Sequence, residues 1–202
     1  MTPYYKQDGI TIYHGNCRDV LPALSADAVV TDPPYGINFA GDPTKWRERA
    51  GHAPEEWDLE RFSDIELIVR AAPKVCVWGG NYYELPPSRG WLVWVKPDAP
   101  PTMSSVEMCW TSLDMNSAHI IHSIAATNKE RLGHPTQKPL PVIKWSIGRM
   151  GISGGVVLDP FCGSGTTLRA ALDLGLGGIG IEIEERYCEM AAKRMSQRVL
   201  AI

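Results

Sequence analysis

The stretch that decides the fold is VVLDPFCGSGTT, residues 156–167. Its first three residues are apolar and largely β-branched, and an acid, Asp159, follows them, which predicts a buried strand. Gly163 and Gly165 follow, and they let the backbone approach a ligand closely just before a helical pattern begins. The Gly-Lys-Ser/Thr ending of a P-loop is absent from the stretch. A strand that enters a helix through such a turn indicates an α/β fold with a parallel core.

The same alternation of strand and helix patterns continues on both sides of this stretch. Apolar runs predict strands at Ile10–His14, Ala28–Thr31, Val75–Trp78, Trp91–Val95, Met108–Trp110, His119–Ile124, Val156–Asp159 and Gly178–Ile183. Helical periodicity predicts helices at Ser63–Ala72, Leu140–Met150, Gly165–Leu174 and Glu184–Val199. Because residues 91–124 hold strands without helices between them, we expect a mixed, mostly parallel sheet with helices on both faces.

Composition limits the class of protein. The chain has 202 residues, of which 44% are hydrophobic and 21% charged, so we expect one globular domain and neither a disordered chain nor a membrane span. The first residues lack the pattern of a signal peptide, which favours a cytoplasmic location. The five cysteines are odd in number and widely spaced, so neither a disulfide framework nor a metal site is expected.

The net charge of −3 does not by itself indicate a nucleic-acid-binding protein. An enzyme that acts on DNA with this charge would have to concentrate its positive groups locally. Charge alone favours a solvated surface for such groups over a binding surface. The candidate contacts to nucleic acid are Lys45, Arg47, Arg49, Lys129, Arg131 and His134.

A second motif, TDPPY at residues 31–35, directly follows a predicted strand. Ligands in open α/β sheets bind at the carboxyl ends of strands, where Asp32 is expected. Pro33 and Pro34 fix φ and remove two backbone donors, but their carbonyls remain acceptors. A carboxylate and a carbonyl beside the ring of Tyr35 suit an amino group on a flat heterocycle, whose nitrogen two acceptors would make more nucleophilic. The alternative is a proline turn in which the acid is a local cap.

Two acids flank the glycine-rich turn. A carboxylate at Asp159 would repel a pyrophosphate and attract a cationic ligand such as the amino group of S-adenosylmethionine, which disfavours a dinucleotide site. Glu182 ends the stretch GIGIE, twenty-three positions after Asp159, where an acid can bind ribose hydroxyls. Taken alone, Glu182 would equally suit the N-terminus of a helix; taken with Asp159, the ribose role is favoured.

A fourth motif, GHPTQKPL at residues 133–140, leads into the predicted helix Leu140–Met150. Pro139 suits its first turn, and polar groups at a helix N-terminus suit a ligand carboxylate. Without the other motifs, a plain helix entry would be the better interpretation.

Together and in this order, DPPY, HPTQKP, DPFCGSGTT and GIGIE resemble the motifs of the amino-methylating DNA methyltransferases, and the order is similar to that of their beta group. The resemblance extends over nearly the whole chain. It implies a Rossmann-like, S-adenosylmethionine-dependent fold and methyl transfer to N6 of adenine in DNA, in a prokaryotic or phage-encoded enzyme. Asp32 and the Pro33 carbonyl would hold the target amino group, and Tyr35 would stack on a base flipped out of the duplex.

The resemblance also implies which residues bind the cofactor. Where the family often has Gly-Asp, this chain has Gly15-Asn16, which keeps an acceptor oxygen and loses the charge. The residues implied to bind S-adenosylmethionine are Asn16, Cys17, Thr136, Gln137, Lys138, Asp159, Pro160, Phe161, Gly163, Ser164, Gly165, Thr166, Thr167 and Glu182.

The chain departs from the family in its target-recognition region. A single methyltransferase domain, residues 1–202, would leave only about residues 114–133 for that region. A loop at about residues 41–57, a partner subunit or relaxed specificity would then compensate. DNA with a flipped base is the expected partner, and a homodimer is implied by the resemblance alone.

Three alternatives remain open at this stage. Methylation of the cytosine amino group uses the same chemistry, but serine is commoner in place of Asp32 in that subgroup, so adenine is favoured. A methyltransferase acting on RNA and an inactive binding subunit are the others; the intact acids Asp32, Asp159 and Glu182 argue against the latter. A cytosine-carbon methyltransferase would need a catalytic thiol, and Cys162 in the cofactor loop is poorly placed for that.

Overall fold

The structure is a computed structural model that describes residues 1–37, 60–130 and 137–197, except the side chains of residues 129 and 130. Within these residues nine strands form one sheet, in the order β1-β2-β9-β8-β3-β4-β6-β5-β7. The strands are β1 Tyr5–Gln7, β2 Ile10–His14, β3 Ala28–Thr31, β4 Lys74–Trp78, β5 Trp91–Val95, β6 Val106–Thr111, β7 Ala118–Ile121, β8 Val156–Asp159 and β9 Gly177–Glu182.

The described part of the chain also contains six helices. They are α1 Cys17–Val20, α2 Ile65–Arg70, α3 Ile124–Glu130, α4 Leu140–Arg149, α5 Thr166–Asp173 and α6 Glu185–Ser196. Short 3-10 turns follow α1 at Leu21–Ala23 and β4 at Gly80–Tyr82.

The centre of the sheet is parallel and its two ends are mixed. Strands β2, β9, β8, β3 and β4 are parallel to their neighbours in this series, whereas β6 runs antiparallel to both β4 and β5. At the edges β7 is parallel to β5 and β1 is antiparallel to β2. The predicted mixed, mostly parallel sheet is confirmed.

Helices cover both faces because successive strand residues point to opposite sides. Val30 and Trp78 pack with Val142 of α4 and Ala170 of α5 on one face. Val29, Val75 and Val77 pack with Val20 of α1 and Ile68 of α2 on the other face. Strands buried on both sides are expected at the centre of a parallel sheet, and these side chains are almost fully buried.

The structure corrects the sequence prediction in one segment. The predicted strand His119–Ile124 ends at Ile121, and Ile124 instead begins α3. The Asp98 carboxylate accepts hydrogen bonds from the amides of Ile124 and Ala125 at 2.7 and 2.8 Å and so caps this helix from a distant loop. Ser123, directly before the helix, accepts a hydrogen bond from the Ala126 amide at 3.1 Å as a local cap, whereas the contribution of Asp98 from 26 residues away is invisible to a local pattern.

The sequence prediction also missed strand β1 and helix α1, which are three and four residues long. Elements this short offer too few positions for a period to be recognised. Among the described residues, no helix combines the length and the apolarity that crossing a membrane requires.

Candidate active site

The predicted functional acids lie together at the carboxyl ends of the central parallel strands. Asp32 directly follows β3, Asp159 ends β8 and Glu182 ends β9, and these three strands are parallel and consecutive in the order β9-β8-β3. The carboxyl ends of parallel strands therefore bring the three acids together, as ligand sites in such sheets require.

A buried hydrogen bond joins the end of β3, next to Asp32, to the end of β8, which precedes the glycine-rich turn. The Thr31 hydroxyl, at the end of β3, donates to Asp159 Oδ1 at 2.7 Å, and the amide of Phe161 donates to the same oxygen at 3.1 Å. Asp159 is only 4% exposed. Burial raises the pKa of Asp159 to about 6, against the opposing effect of hydrogen bonds from Thr167 and Thr31. The site therefore holds a carboxylate that gains from a nearby positive charge.

The glycine-rich turn is held by Glu182. Its Oε2 accepts a hydrogen bond from the Gly163 amide at 2.9 Å, and its Oε1 accepts one from the Glu184 amide at 2.9 Å. Burial raises the pKa of Glu182, and the nearby charge of Asp159 adds to that rise. At the start of α5, Gly165 has φ +78°, and a Cβ there would lie 2.9 Å from that of Ala191. This position therefore requires glycine.

Two buried side chains support the turn from behind. Arg194 of α6 donates to the Thr166 hydroxyl at 2.9 Å and to the Ser164 carbonyl at 3.4 Å. Gln137 Oε1 accepts a hydrogen bond from the Ser164 hydroxyl at 3.4 Å. Gln137 was predicted from the sequence and Arg194 was not. In the helical pattern Arg194 lies largely off the apolar stripe that contains Ala191 and Met195, so local periodicity did not indicate its burial.

Four more of the predicted cofactor residues lie in this turn or at the start of α5. Pro160, Thr166 and Thr167 are buried in it, and the ring of Phe161 packs edge to face on that of Phe62 at 4.9 Å. The ring of Phe62 in turn lies under the Arg18 guanidinium at 4.6 Å.

Asn16 and Cys17 lie at the start of α1, beyond the end of β2. The Asn16 side chain accepts a hydrogen bond from the Arg18 amide at 3.0 Å and caps the helix. The amide of Gly15 binds the Glu182 carbonyl at 2.9 Å, so this cap adjoins the end of β9. Cys17 is buried in the core, and burial raises the pKa of its thiol to about 11. The thiol is therefore neutral at physiological pH.

Asp32 is surrounded by polar partners. Its Oδ2 accepts a hydrogen bond from the Lys138 ammonium at 2.5 Å, and its Oδ1 accepts one from the Tyr35 hydroxyl. The Pro34 carbonyl accepts from the Tyr83 hydroxyl and from the Phe62 amide. Burial raises the pKa of Asp32, and Lys138 opposes that rise.

Lys138 belongs to a longer chain of charges, in which the two lysines are buried and the two acids are partly buried. Glu107 of β6 binds the Lys138 ammonium at 3.2 Å through Oε2 and the Lys96 ammonium at 2.9 Å through Oε1. Burial alone would raise the pKa of Glu107, but the two lysines hold it below its usual range. Burial alone would lower the pKa of Lys138, but Asp32 and Glu107 raise it well above its usual range. Lys96, Glu107, Lys138 and Asp32 thus alternate in charge.

Sequence reasoning missed Glu107 and Lys96; it predicted Lys138 as a cofactor-binding residue, and the structure pairs its ammonium with Asp32 and Glu107. The available signal was a charged residue inside or next to an apolar strand, since Glu107 interrupts β6 and Lys96 directly follows β5. Such a residue is rarely buried without a partner. Pairing between β5 and β6 supplies the partner by bringing distant sequence positions together.

Several predicted residues lie outside the described part of the chain. They are Lys45, Arg47, Arg49, Arg131, His134 and Thr136, together with the loop at about residues 41–57. Lys129 lies in α3, but its side chain is not described. Of the region at about residues 114–133, the structure places Ala118–Ile121 in edge strand β7, next to β5.

Comparison with known proteins decides the family. The family model described as DNA methylase, for N6 and N4 methyltransferases, matches residues 77–193, which is more than half of the chain. This chain belongs to the N6/N4 DNA methylase family. The matched residues include Asp159 and Glu182, whereas Asp32 and Tyr35 lie before them. S-adenosylmethionine is the methyl donor of the family.

Relatives of this DNA methylase include two Type II methyltransferases. M.HpaI from Haemophilus parainfluenzae is 46% identical over 68 residues, which are 34% of this chain and only 22% of that protein. M2.MboI from Moraxella bovis is 24% identical over an alignment 246 positions long, which covers 95% of this chain and 90% of that protein. The first match is therefore a segment, and the second is nearly full length.

Solved structures share the fold of this DNA methylase. The M1.HpyAVI–SAM complex has a TM-score of 0.62 at 23% identity and covers 93% of this chain and 100% of its own. The cytosine-N4-specific PvuII DNA methyltransferase has a TM-score of 0.66 at 17% identity, and the match covers 98% of this chain and 90% of that protein's chain. These similarities confirm the predicted Rossmann-like methyltransferase fold.

Proposed function

We propose that this DNA methylase transfers the methyl group of S-adenosylmethionine to the exocyclic N6 amino group of adenine in DNA. The observation that carries the proposal is the placement of Asp32 directly after β3, with the Thr31 hydroxyl bound to Asp159 at 2.7 Å. One strand end thus connects an acceptor for an amino group with an acid suited to a cationic cofactor.

The charges of the site suit S-adenosylmethionine. Burial is the main cause that raises the pKa values of Asp32, Asp159 and Glu182. Repulsion between neighbouring carboxylates adds to it: Asp32 raises the pKa of Asp159, and Asp159 raises that of Glu182. A ligand with an ammonium and a sulfonium would relieve this repulsion. Asp159 would face the ammonium, while Glu182 would accept from ribose hydroxyls, since each carboxylate oxygen has a second lone pair.

The turn between β8 and α5 suits the methionine end of this cofactor. Gly163 and Gly165 both have positive φ, at +49° and +78°, which lets the backbone fold tightly against a ligand. Arg194 and Gln137 hold the turn in place from behind. A fixed turn would orient the cofactor for in-line transfer with little further ordering.

The residues after β3 suit a planar amino group. Asp32 would accept one N–H of the target amino group and the Pro33 carbonyl would accept the other, which draws the nitrogen toward a tetrahedral, nucleophilic form. Within the described part of the chain, no backbone amide donates a hydrogen bond to the Pro33 carbonyl. When bound, S-adenosylmethionine supplies an electrophilic methyl group. The amino group becomes acidic as it is methylated, so Asp32 need not act as a strong base.

The choice of adenine over cytosine rests on the first residue of the DPPY motif. A carboxylate at Asp32 resembles the adenine subgroup, whereas serine is commoner in the cytosine subgroup. The distinction is testable directly, because the two reactions give different methylated nucleosides.

Label transfer into DNA tests the proposal. The chain is incubated with isotope-labelled S-adenosylmethionine and unmethylated duplex DNA, which is then digested to nucleosides and separated. We expect label in N6-methyldeoxyadenosine. Label in N4-methyldeoxycytidine would contradict adenine specificity and keep the chemistry, whereas label only in single-stranded RNA, offered in parallel, would contradict DNA as the substrate.

Substitution of Asp32 tests the site itself. We expect Asp32→Ala to abolish methyl transfer and to leave the dissociation constant for S-adenosylmethionine within about threefold of the wild type, since Asp32 lies at the base end of the site. Glu66→Ala, at an exposed position that pairs with Arg70, is the matched control. An equal loss of transfer and of cofactor binding would assign Asp32 a structural role instead.

A further inference from the structure

Both carboxylate oxygens of Asp32 are occupied by side chains in this structure. Lys138 Nζ lies 2.5 Å from Oδ2, and the Tyr35 hydroxyl donates to Oδ1. Lys138 Nζ is also 3.3 Å from the Tyr35 hydroxyl, so the three groups form one closed cluster. A target amino group that binds Asp32 therefore has to share or replace one of these partners.

Lys138 has a second carboxylate within reach. Glu107 Oε2 lies 3.2 Å from Lys138 Nζ, so the ammonium already contacts both acids. The side chain of Lys138 is 9% exposed, whereas the side chains of Glu107 and Asp32 are 31% and 24% exposed. A buried ammonium needs a partner at all times, and an acid that stays in contact lets it leave Asp32 without becoming unpaired.

Lys96 fixes the position of Glu107. Its ammonium binds Glu107 Oε1 at 2.9 Å, its side chain is only 4% exposed, and it lies over the Trp94 ring at 5.2 Å from the centroid. Glu107 pairs with Trp94 in the antiparallel ladder of β5 and β6, and Lys96 follows two residues later. This support is rigid, because both strands lie inside the sheet.

We infer that Glu107 is a positioning residue that takes the Lys138 ammonium from Asp32 when the target base arrives. The inference rests on the proposed function, since it concerns the amino-group acceptor of that reaction. Lys138 shifts by a small rotation of its side chain from Asp32 Oδ2 toward Glu107 Oε2. This shift opens Oδ2 to an N–H of the base. Without the negative charge of Glu107, Lys138 stays on Asp32 and competes with the base.

A double-mutant cycle tests whether Glu107 acts through Lys138. The variants are Glu107→Gln, Lys138→Met and the two combined, each compared with the wild type in single-turnover methyl transfer at saturating DNA and cofactor. We expect Glu107→Gln to slow transfer about 30-fold in the chain that keeps Lys138. In the chain with Lys138→Met, the same change should alter the rate less than threefold, because no ammonium remains to be moved.

Binding measurements separate positioning from a general structural effect. Glu107→Gln should leave the dissociation constants for S-adenosylmethionine and for duplex DNA within about threefold, because phosphate contacts dominate DNA affinity. Glu107→Asp should recover part of the rate. If Glu107→Gln fails to fold because Lys96 loses its partner, Lys96→Met combined with Glu107→Gln removes that buried charge and takes its place in the cycle.

The outcomes that contradict the inference are distinct. An equal loss of rate with and without Lys138 would mean that Glu107 acts independently of the ammonium. No loss in either chain would mean that Glu107 has no role in transfer. Label is counted in all nucleosides of a duplex that contains both bases, so methylation of cytosine would contradict the proposed adenine specificity while the cycle still decides the role of Glu107.

Discussion

The rings of Tyr35 and Tyr82 are stacked, with centroids 4.8 Å apart and planes inclined by 18°. Tyr35 belongs to the motif after β3, and Tyr82 to the 3-10 turn after β4, where it is 41% exposed. Stacking on Tyr35 is the role expected of a flipped base. The exposed ring of Tyr82 covers one face of Tyr35, and we expect it to compete with a flipped base for that face.

Removal of the Tyr82 ring should ease entry of the base. Stacked aromatic pairs gain about 0.5–1.5 kcal/mol, so Tyr82→Ala should lower the KM for duplex DNA about two- to tenfold. Tyr82→Phe keeps the stack and is the matched control, with an unchanged KM. Steady-state methyl transfer at varied DNA concentration measures both. A higher KM or a slower rate for Tyr82→Ala alone would mean that Tyr82 itself holds the base.

Cofactor affinity should depend on the ionisation of Asp159. The pKa of this buried acid is about 6 in the protein without cofactor, so the carboxylate is neutral below that pH and no longer attracts an ammonium. We expect the dissociation constant for S-adenosylmethionine to be constant between pH 7 and 8 and to rise about tenfold for each pH unit below 6. Isothermal titration across this range measures it, and a flat profile down to pH 5 would contradict the role of Asp159.

The same acid should destabilise the protein that holds no cofactor. The usual pKa of the group is 3.8, so between pH 4 and 6 the unfolded chain releases a proton that the folded chain keeps. The free energy of unfolding therefore falls as pH rises through this window, and the full cost is present above pH 6. Asp159→Asn should remove this cost and stabilise the protein by about 1–2 kcal/mol at pH 8 and hardly at all at pH 4.

Urea denaturation of Asp159→Asn at both pH values checks this expectation. Asp114→Asn changes an exposed acid and should leave stability within about 0.5 kcal/mol at either pH. Equal stabilisation by Asp159→Asn at pH 4 and pH 8 would show that ionisation is not its cause.

Arg194 should increase the affinity for S-adenosylmethionine, because it holds the glycine-rich turn in place. Arg194→Met keeps most of the volume of this buried side chain but loses the hydrogen bonds to Thr166 and Ser164. We expect about a tenfold rise in the dissociation constant for S-adenosylmethionine, because buried hydrogen bonds to a charged donor contribute about 1.5–3 kcal/mol, part of which holds the turn. Lys193→Met, an exposed neighbour on α6, should leave binding unchanged.

The site illustrates how far local patterns predict structure. Asp32, Asp159 and Glu182 were predicted because each acid follows an apolar strand, and parallel strands place such acids at one edge. The helix at Ile124 was missed because the apolar run from His119 continues up to its first residue, and Asp98, which adds to the local cap Ser123, lies on a different loop. Glu107 was missed because its contacts with Lys96 and Lys138 join positions far apart in the sequence, which only the folded chain brings together. Sequence periodicity thus predicts which residues end a strand, and not which distant side chains they meet.

Gly79 offers the sharpest test of whether the position of Tyr35 matters. Gly79 has φ +67°, and a Cβ there would lie 2.0 Å from Cε1 of Tyr35. Gly79→Ala should therefore displace the ring of Tyr35 and with it the hydroxyl that binds Asp32. Gly151→Ala is the matched control, because Gly151 has a similar φ of +57° but a Cβ added there would meet no atom within 4 Å.

Backbone strain and displacement of the Tyr35 ring should separate in these two variants. Both should lose about 1 kcal/mol of stability from strain at positive φ, as denaturation would measure. Only Gly79→Ala should also slow methyl transfer, by at least about tenfold, since misplacement of a positioning group by about 1 Å can cost up to about a hundredfold. If the two variants lost stability and activity in the same proportion, the ring of Tyr35 would have no specific part in the reaction.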